Sequence, residues 1–246
     1  MFFFRHPKPV VDPRPVPEQS VQVKTSALHE LTELAKSAPP FCVIFDLDGT
    51  LVDSEGLNNQ AFIDLLPDLA DSAAELAARY RGWKLADILT DIEERQGHPL
   101  PTDFEVRYRA RVAELFASRL AATPGTVAML EGHAFQRCVA SSAPPEKIRQ
   151  ALQVSGLAAH FADRVFSSYE VGAWKPDPAL FLHAAQRMGL APGQCVVVED
   201  SEVGVEAALA AGMRVLFYAP DGSVPTRPVD KVLRHMSELP CFLAGV

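Results

Sequence analysis

Five consecutive apolar residues, Phe41-Cys42-Val43-Ile44-Phe45, stop abruptly at two carboxylates, Asp46 and Asp48, that are separated by a single leucine. The run suits a strand and is too short for a typical helix. Its lack of alternation predicts a strand covered on both faces, as in a parallel sheet. In open α/β sheets the reacting groups gather just past the carboxyl ends of the strands, which is where both acids fall. Gly49 permits a sharp turn and close approach of a ligand. Two acids so near each other repel unless a cation or a shared proton compensates. A hard divalent ion such as Mg²⁺, which commonly takes one or two carboxylates plus phosphate oxygens, is one remedy. An acidic turn after a buried strand is the plainer alternative. Asp-x-Asp-Gly also matches part of a calcium loop, but the later Glu and the helical context of that loop are missing.

Downstream, the pattern predicts an α/β chain with an inserted helical segment. Positions 54–123 carry apolar residues at three-and-four spacing and no strand signal, which reads as about four helices, with Gly82 and Gly97 at helix ends. After Pro124-Gly125, strands and helices alternate again, which implies a parallel sheet. Gln136–Ala140 is a strand ending at Ser141-Ser142, and Pro144-Pro145 opens a helix to about Ser155. A hydroxyl beside a helix N-terminus can cradle phosphate, although Ser141 also reads simply as a cap. Arg164–Ser167 is a further strand, followed by Trp174-Lys175-Pro176-Asp177-Pro178 and a helix. Cys195–Val198 ends in Glu199, Asp200 and Ser201, and either of the last two suits the N-cap of the next helix. Gly212 suits a left-handed helix end and Arg214–Tyr218 another strand, and the tail reads as turns with a short helix around Val232–Leu239.

Residues 1–25 contain prolines at 7, 9, 13, 15 and 17, which favours an extended segment and excludes helix there. Three phenylalanines before Arg5 are too few for a secretory apolar region. Ser26–Lys36 has the spacing of a short amphipathic helix. A protein partner for this extension, of unknown identity, is the sharper reading of its prolines. The formal charge of −8 argues against nonspecific affinity for nucleic acid or anionic membrane. With 48% hydrophobic residues, a mean hydropathy near zero and no apolar run of membrane-spanning length, a globular protein is expected. Cys42, Cys138, Cys195 and Cys241 show no paired spacing, so reduced thiols and a cytoplasmic location are expected.

The string FDLDGTLVDSE resembles the first signature of the haloacid dehalogenase-like hydrolases, a superfamily dominated by phosphatases. Three later segments resemble its other signatures in order: the strand ending at Ser141, WKPDP, and VVVEDSEVGVEAALAAGM. Together they cover residues Phe41 to Tyr218. The resemblance implies a Rossmann-like, doubly wound parallel sheet core over 39–53 and 124–246 and a small helical cap over 54–123, preceded by the extension at 1–38. It implies Asp46 as nucleophile and Asp48 as proton donor and acceptor, whose backbone carbonyl helps hold Mg²⁺. It further implies Lys175 as charge-neutralising lysine, Ser141 and Ser142 as phosphate-binding residues, and Asp200 as metal ligand, with Glu199 either joining it or ordering a water. True dehalogenases lack an acid at the position of Asp48. In the loop Arg79–Leu85, Arg81 and Lys84 stand where relatives meet the leaving group.

The expectation that follows is a Mg²⁺-dependent phosphatase acting on a small phosphorylated metabolite, a sugar phosphate or a phosphorylated sugar acid such as 6-phosphogluconate. A hexose-phosphate mutase resembling β-phosphoglucomutase is the alternative within the family. Asn58, where many relatives carry histidine, and Leu85, where the mutase carries an arginine, weigh against it. A noncatalytic binding protein on the same fold is the alternative from another class.

Overall fold

The computed structural model describes residues 41–245, so the expectations for the proline-rich extension and its short helix lie outside the described residues. The first strand, β1 (Cys42–Phe45), is followed by four helices, α1 (Glu55–Leu65), α2 (Ala73–Tyr80), α3 (Leu85–Gln96) and α4 (Phe104–Arg119). Then come α5 (Thr126–Gly132), β2 (Gln136–Ser141), α6 (Pro145–Val154), α7 (Ala158–Phe161), β3 (Val165–Ser167), α8 (Ser168–Val171) and α9 (Ala179–Arg187). The chain finishes with β4 (Cys195–Glu199), α10 (Glu202–Ala210), β5 (Arg214–Tyr218), β6 (Lys231–Leu233) and α11 (Leu239–Leu243).

All six strands run parallel in the order β3-β2-β1-β4-β5-β6. This is a doubly wound sheet whose order reverses between β1 and β4, the place where α/β folds open a crevice at the strand tips. The absence of alternation in the first strand now has its reason. Val43 and Phe45 face one apolar cluster and Cys42 and Ile44 face the other, and all four are fully buried. Cys42, Cys138 and Cys195 are buried free thiols, and Cys241 is an exposed one.

The long stretch Ala61–Gly82 divides into two helices. Pro67 cannot continue a helix, and α2 restarts behind a reciprocal cap in which Ser72 accepts from the Glu75 amide and the Glu75 carboxylate accepts from the Ser72 amide. Helix α3 ends at Gly97 in the left-handed conformation (φ 73°). In the tail the sequence pattern predicts a helix where the chain adds β6 to the sheet edge; a 3₁₀ turn at Met236–Glu238 and α11 follow it. A three-residue strand is too short to carry a period, so pairing with β5 decides it. The seven residues of α5 were likewise too few for a helical pattern to register before the strand signal of β2.

The four inserted helices leave and rejoin the sheet through a narrow neck. The Asp53 amide donates to the Ala121 carbonyl (3.0 Å), the Thr123 amide to Leu51 (3.0 Å), and the Thr123 hydroxyl to the Thr50 carbonyl (2.7 Å). Within the insertion α1 packs on α4, where Phe62 stacks on Tyr108 (4.2 Å between centroids) and on Phe104 (6.5 Å). Helix α4 also rests on α6, where Gln150 donates to the Ala113 carbonyl at 2.9 Å. Because Phe62 is fully buried at the centre of this contact, Phe62→Ala is expected to lower stability by about 3–5 kcal/mol. The midpoint of denaturant unfolding measures it.

Candidate active site

Strand register assembles the site. Phe45 lies level with Val139 of β2 and Val198 of β4. Asp46, Ser141 and Glu199 therefore emerge from three adjacent strands spaced about 4.8 Å apart. The Asp46 amide continues the ladder to the Val198 carbonyl (3.0 Å). Beyond it the chain closes a tight loop in which the Leu47 carbonyl accepts from the amides of Thr50, Leu51 and Val52. Gly49 is needed there. Its φ is 79°, and an added Cβ would lie 2.3 Å from an Asp200 carboxylate oxygen. The Thr50 hydroxyl donates to the other Asp200 oxygen at 3.1 Å, so the first loop and the tip of β4 are tied together.

The carboxylates of Asp46, Glu199 and Asp200 are buried and offer oxygens that all lie within 4.8 Å of one another. Lys175 reaches between two of them, 2.5 Å from Asp46 and 2.6 Å from Glu199. Three carboxylates against one ammonium leave two negative charges uncompensated. Burial pushes the Asp46 carboxyl up to about 7 despite Lys175, with Glu199 adding repulsion. Burial, then Glu199 and Asp46, pushes Asp200 well above the ordinary carboxylate range. The same two acids as partners, Asp46 and Glu199, hold the Lys175 ammonium above its usual value although burial opposes this.

A divalent ion would cancel this excess. Bond lengths of about 2.0–2.6 Å place the oxygens around one Mg²⁺ or Ca²⁺ up to roughly 4–5 Å apart, so the donor set and its spacing fit such an ion. The Asp48 side chain stands outside the three-acid cluster, borders the same cavity and has its own partners. Ser54 donates to it at 2.6 Å, and the Lys147 ammonium lies 3.0 Å from both oxygens. Burial alone would raise Asp48, but Lys147 and Ser54 outweigh it and hold the carboxyl below its usual value.

Of the other residues singled out in the sequence, Ser141 and Ser142 lie where β2 hands over to α6, and the buried Ser141 hydroxyl accepts from the Ala143 amide (3.1 Å). Ser201, not Asp200, caps α10, accepting from the Gly204 amide, which leaves Asp200 free for the acidic cluster. Arg81 and Lys84 both border the same cavity of about 610 Å³. Arg81 is gripped by Glu55 (3.1 Å) and Asp221 (3.2 Å). Lys84 lies over the Trp174 ring, 5.3 Å from its centre.

Lys147 went unread in the sequence. A lysine in the first turn of a helix faces the positive end of the helix dipole, and that misplacement is the signal that called for a carboxylate opposite. Tyr169 and Trp174 also border the cavity, edge to face at 5.3 Å, with Arg109 donating to the Tyr169 hydroxyl (2.9 Å). Tyr169 in the four-residue α8 and Trp174 in the loop after it gave no periodic signal.

A family model for haloacid dehalogenase-like hydrolases matches residues 42–212. The chain belongs to that family. A 6-phosphogluconate phosphatase of Escherichia coli K12 is 35% identical over 203 residues, covering 80% of this chain and 92% of that protein. Hexitol phosphatase A of the same organism is 31% identical over 206 residues, covering 80% and 91%. A solved haloacid dehalogenase-like protein of unknown function from Agrobacterium tumefaciens superposes with a TM-score of 0.74 at 29% identity, covering 84% of this chain and 99% of that one. The chain is therefore an enzyme, a phosphoric monoester hydrolase of the haloacid dehalogenase-like family.

Two outcomes follow from the crowding of charge. An acid whose folded-state pKa is raised contributes stability at low pH and loses it as pH rises through the folded value. With Asp46 near 7 and Asp200 also raised, the metal-free protein is expected to have a higher Tm at pH 6 than at pH 8. Asp200→Asn should narrow that difference and raise the pH 8 Tm by roughly 2–4 °C, about 1 kcal/mol. Thermal melts in chelator read both, and a wild-type Tm that climbs from pH 6 to pH 8 contradicts the charge argument. Separately, an added Cβ at Gly204 would sit 1.9 Å from a Glu199 oxygen. Gly204→Ala is expected to cost about 1–3 kcal/mol and to pull Glu199 off Lys175, which an unfolding curve and a structure of the variant will register.

Proposed function

We propose that this chain is a Mg²⁺-dependent phosphatase for a small phosphorylated sugar or sugar acid, with 6-phosphogluconate the leading substrate, and that it works through an aspartyl-phosphate on Asp46. The observation that carries the reading is the pairing of two differently held acids on one loop. Asp46 sits among buried acids against Lys175, while Asp48, two residues on and bordering the same cavity, pairs with Ser54 and Lys147. A nucleophile and a proton carrier need this division. In the first step an Asp46 oxygen bonds to phosphorus, the bond from phosphorus to the sugar oxygen breaks, and Asp48, which takes up a proton once bound substrate draws Lys147 away from it, gives that proton to the oxygen. In the second, Asp48 takes a proton from water as the water oxygen attacks phosphorus, and Asp46 departs as carboxylate.

Lys175 and the Ser141-Ser142 segment bear the charge on the phosphoryl oxygens. Asp46, Glu199 and Asp200, with the backbone carbonyl of Asp48, would hold Mg²⁺. When bound, the ion supplies the positive charge that lets an anionic nucleophile approach an anionic phosphate. Residues 54–123 form the cap over the core of 39–53 and 124–246, with Arg81 and Lys84 facing the leaving group.

The E. coli relative's name supports the sugar-acid substrate. A structure of a family hydrolase from Deinococcus radiodurans with bound phosphate and sodium, at TM-score 0.69 and 28% identity, supports anion and cation binding on this fold. The buried reduced cysteines fit a cytoplasmic setting, and among the described residues no helix is long and apolar enough to cross a membrane. Asn58 and Leu85 favour hydrolysis over a mutase.

Phosphate release from a panel of sugar phosphates and phosphorylated sugar acids tests the reading. Release that needs Mg²⁺ and stops with chelator is expected, and Asp46→Asn should reduce it by at least about 10³-fold while the far-UV spectrum stays unchanged. Isomerisation without phosphate release selects the mutase instead, and silence across the panel the binding protein.

A further inference from the structure

We infer that Lys84 and Lys147 together form a second anion subsite, which takes a carboxylate on the non-reacting end of the substrate. The inference deepens the phosphatase reading and rests on it. It starts from an account of positive charge around the cavity. Among the described residues five cations border it: Arg81, Lys84, Arg109, Lys147 and Lys175. Lys175 is locked between Asp46 and Glu199. Arg81 is taken up by Glu55 and Asp221. Arg109 is held by Glu105 (2.6 Å) and by the Tyr169 hydroxyl. Lys175 is thus committed to the reacting end, and Arg81 and Arg109 are held by carboxylates.

The remaining two differ. Among the described residues Lys84 has no carboxylate within ion-pair distance, and its recorded partner is the face of Trp174. A ring quadrupole compensates an ammonium only in part, at about 0.5–2 kcal/mol, so the charge is available to a ligand. Lys147 pairs with Asp48, and its position matters more than its pairing. Asp48 is the acid proposed to protonate the departing sugar oxygen, so the first atoms of the leaving group pass beside it. An ammonium 3.0 Å from that acid lies next to whatever the sugar oxygen carries. It has three N–H donors, and its chain is braced on the Phe116 ring at 5.4 Å.

A third polar group marks the same wall. The Asn58 side-chain carbonyl oxygen borders the cavity, is buried, and has no hydrogen-bond partner. The Asn58 amide points its NH₂ at Asp48 (3.5 Å), and the reverse orientation would set two oxygens against each other. The orphaned acceptor is therefore the native arrangement, and it suits a sugar hydroxyl. Two cations and one hydroxyl acceptor beyond the reacting phosphate describe a polyhydroxy acid. A cavity of about 610 Å³ has ample room for a six-carbon chain of that kind.

Calorimetric binding to the Asp46→Asn protein, which cannot turn the ligand over, tests the subsite with three probes: 6-phosphogluconate, a hexitol 6-phosphate and a hexose 1,6-bisphosphate. The acid is expected to bind at least tenfold more tightly than the uncharged-tail hexitol phosphate. Adding Lys84→Met or Lys147→Met should each cut that ratio threefold or more, both together should bring it to about one, and Lys147→Arg should preserve it. A ratio near one before any lysine is changed overturns the inference, as does a ratio that survives the double change. Tenfold tighter binding of the bisphosphate than of the acid reassigns the subsite to a second phosphate and overturns the carboxylate. The two readings fail separately. Tight, lysine-dependent binding of the acid with no turnover by wild type removes the hydrolase, whereas turnover of neutral sugar phosphates with no binding ratio removes the subsite.

Discussion

Negative charge confined at the tips of β1 and β4 is the constraint around which the rest of this molecule is arranged. Asp46, Glu199 and Asp200 are taken out of water by the fold itself, and burying unpaired carboxylates is among the more costly things a protein does. The fold meets part of that cost with Lys175 and with directed hydrogen bonds, from Thr50 to Asp200 and from the Ser201 amide and hydroxyl to Glu199 (2.7 and 2.9 Å). Every carboxylate in the cluster is thus fixed in direction before any ligand arrives. The unmet remainder is what makes the cluster receptive to a cation, so stability given up here becomes affinity.

Two glycines show how tightly that arrangement is drawn. Gly49 and Gly204 lie where a single added carbon would collide with Asp200 and Glu199 respectively. Only at Gly49 is the backbone also in the left-handed region; at Gly204, inside α10, the requirement is purely one of space. Helix α10 therefore approaches β4 closely enough for the Glu199 side chain to lie flat against its first turn. The acids are held between loop, helix and lysine at one end of a cavity that the inserted helices also line.

The placing of the core's polar residues was legible in the sequence because the core is punctuated. β1 and β4 are built on unbroken apolar runs, β2 carries a shorter one after Gln136 and Arg137, and each of the three runs into a polar group, so Asp46, Ser141 and Glu199 could be placed at strand tips before any register was known. Parallel pairing then brings strand tips together whatever their separation along the chain. The side of the cavity contributed by the insertion was less legible. Arg81 and Lys84 look alike in the sequence, two cations in one loop, yet one is clamped by Glu55 and Asp221 and the other lies on an indole. Asp221 is 140 residues from Arg81, and nothing local encodes that meeting. Lys147 was hidden for the opposite reason: a helix-forming residue in a helix attracts no notice unless its place in the first turn is weighed against the dipole.

The segment Trp174-Lys175 joins these two sides. Lys175 turns inward to Asp46 and Glu199, while its neighbour Trp174 turns outward to Lys84 of the insertion and to Tyr169. The turn closed by the Asp177 amide on the Trp174 carbonyl (2.9 Å) sends the two side chains to different partners, so one dipeptide touches both the buried acids and the insertion. The insertion thus meets the core on the residue next to the buried lysine, through an ammonium over an aromatic face. Such a contact is weaker and less directional than the carboxylate pairs that fix Arg81 and Arg109. An anionic ligand competes with a ring on better terms than with a carboxylate. The charge arrangement consequently holds Asp46 rigidly and leaves the insertion side of the cavity less firmly paired.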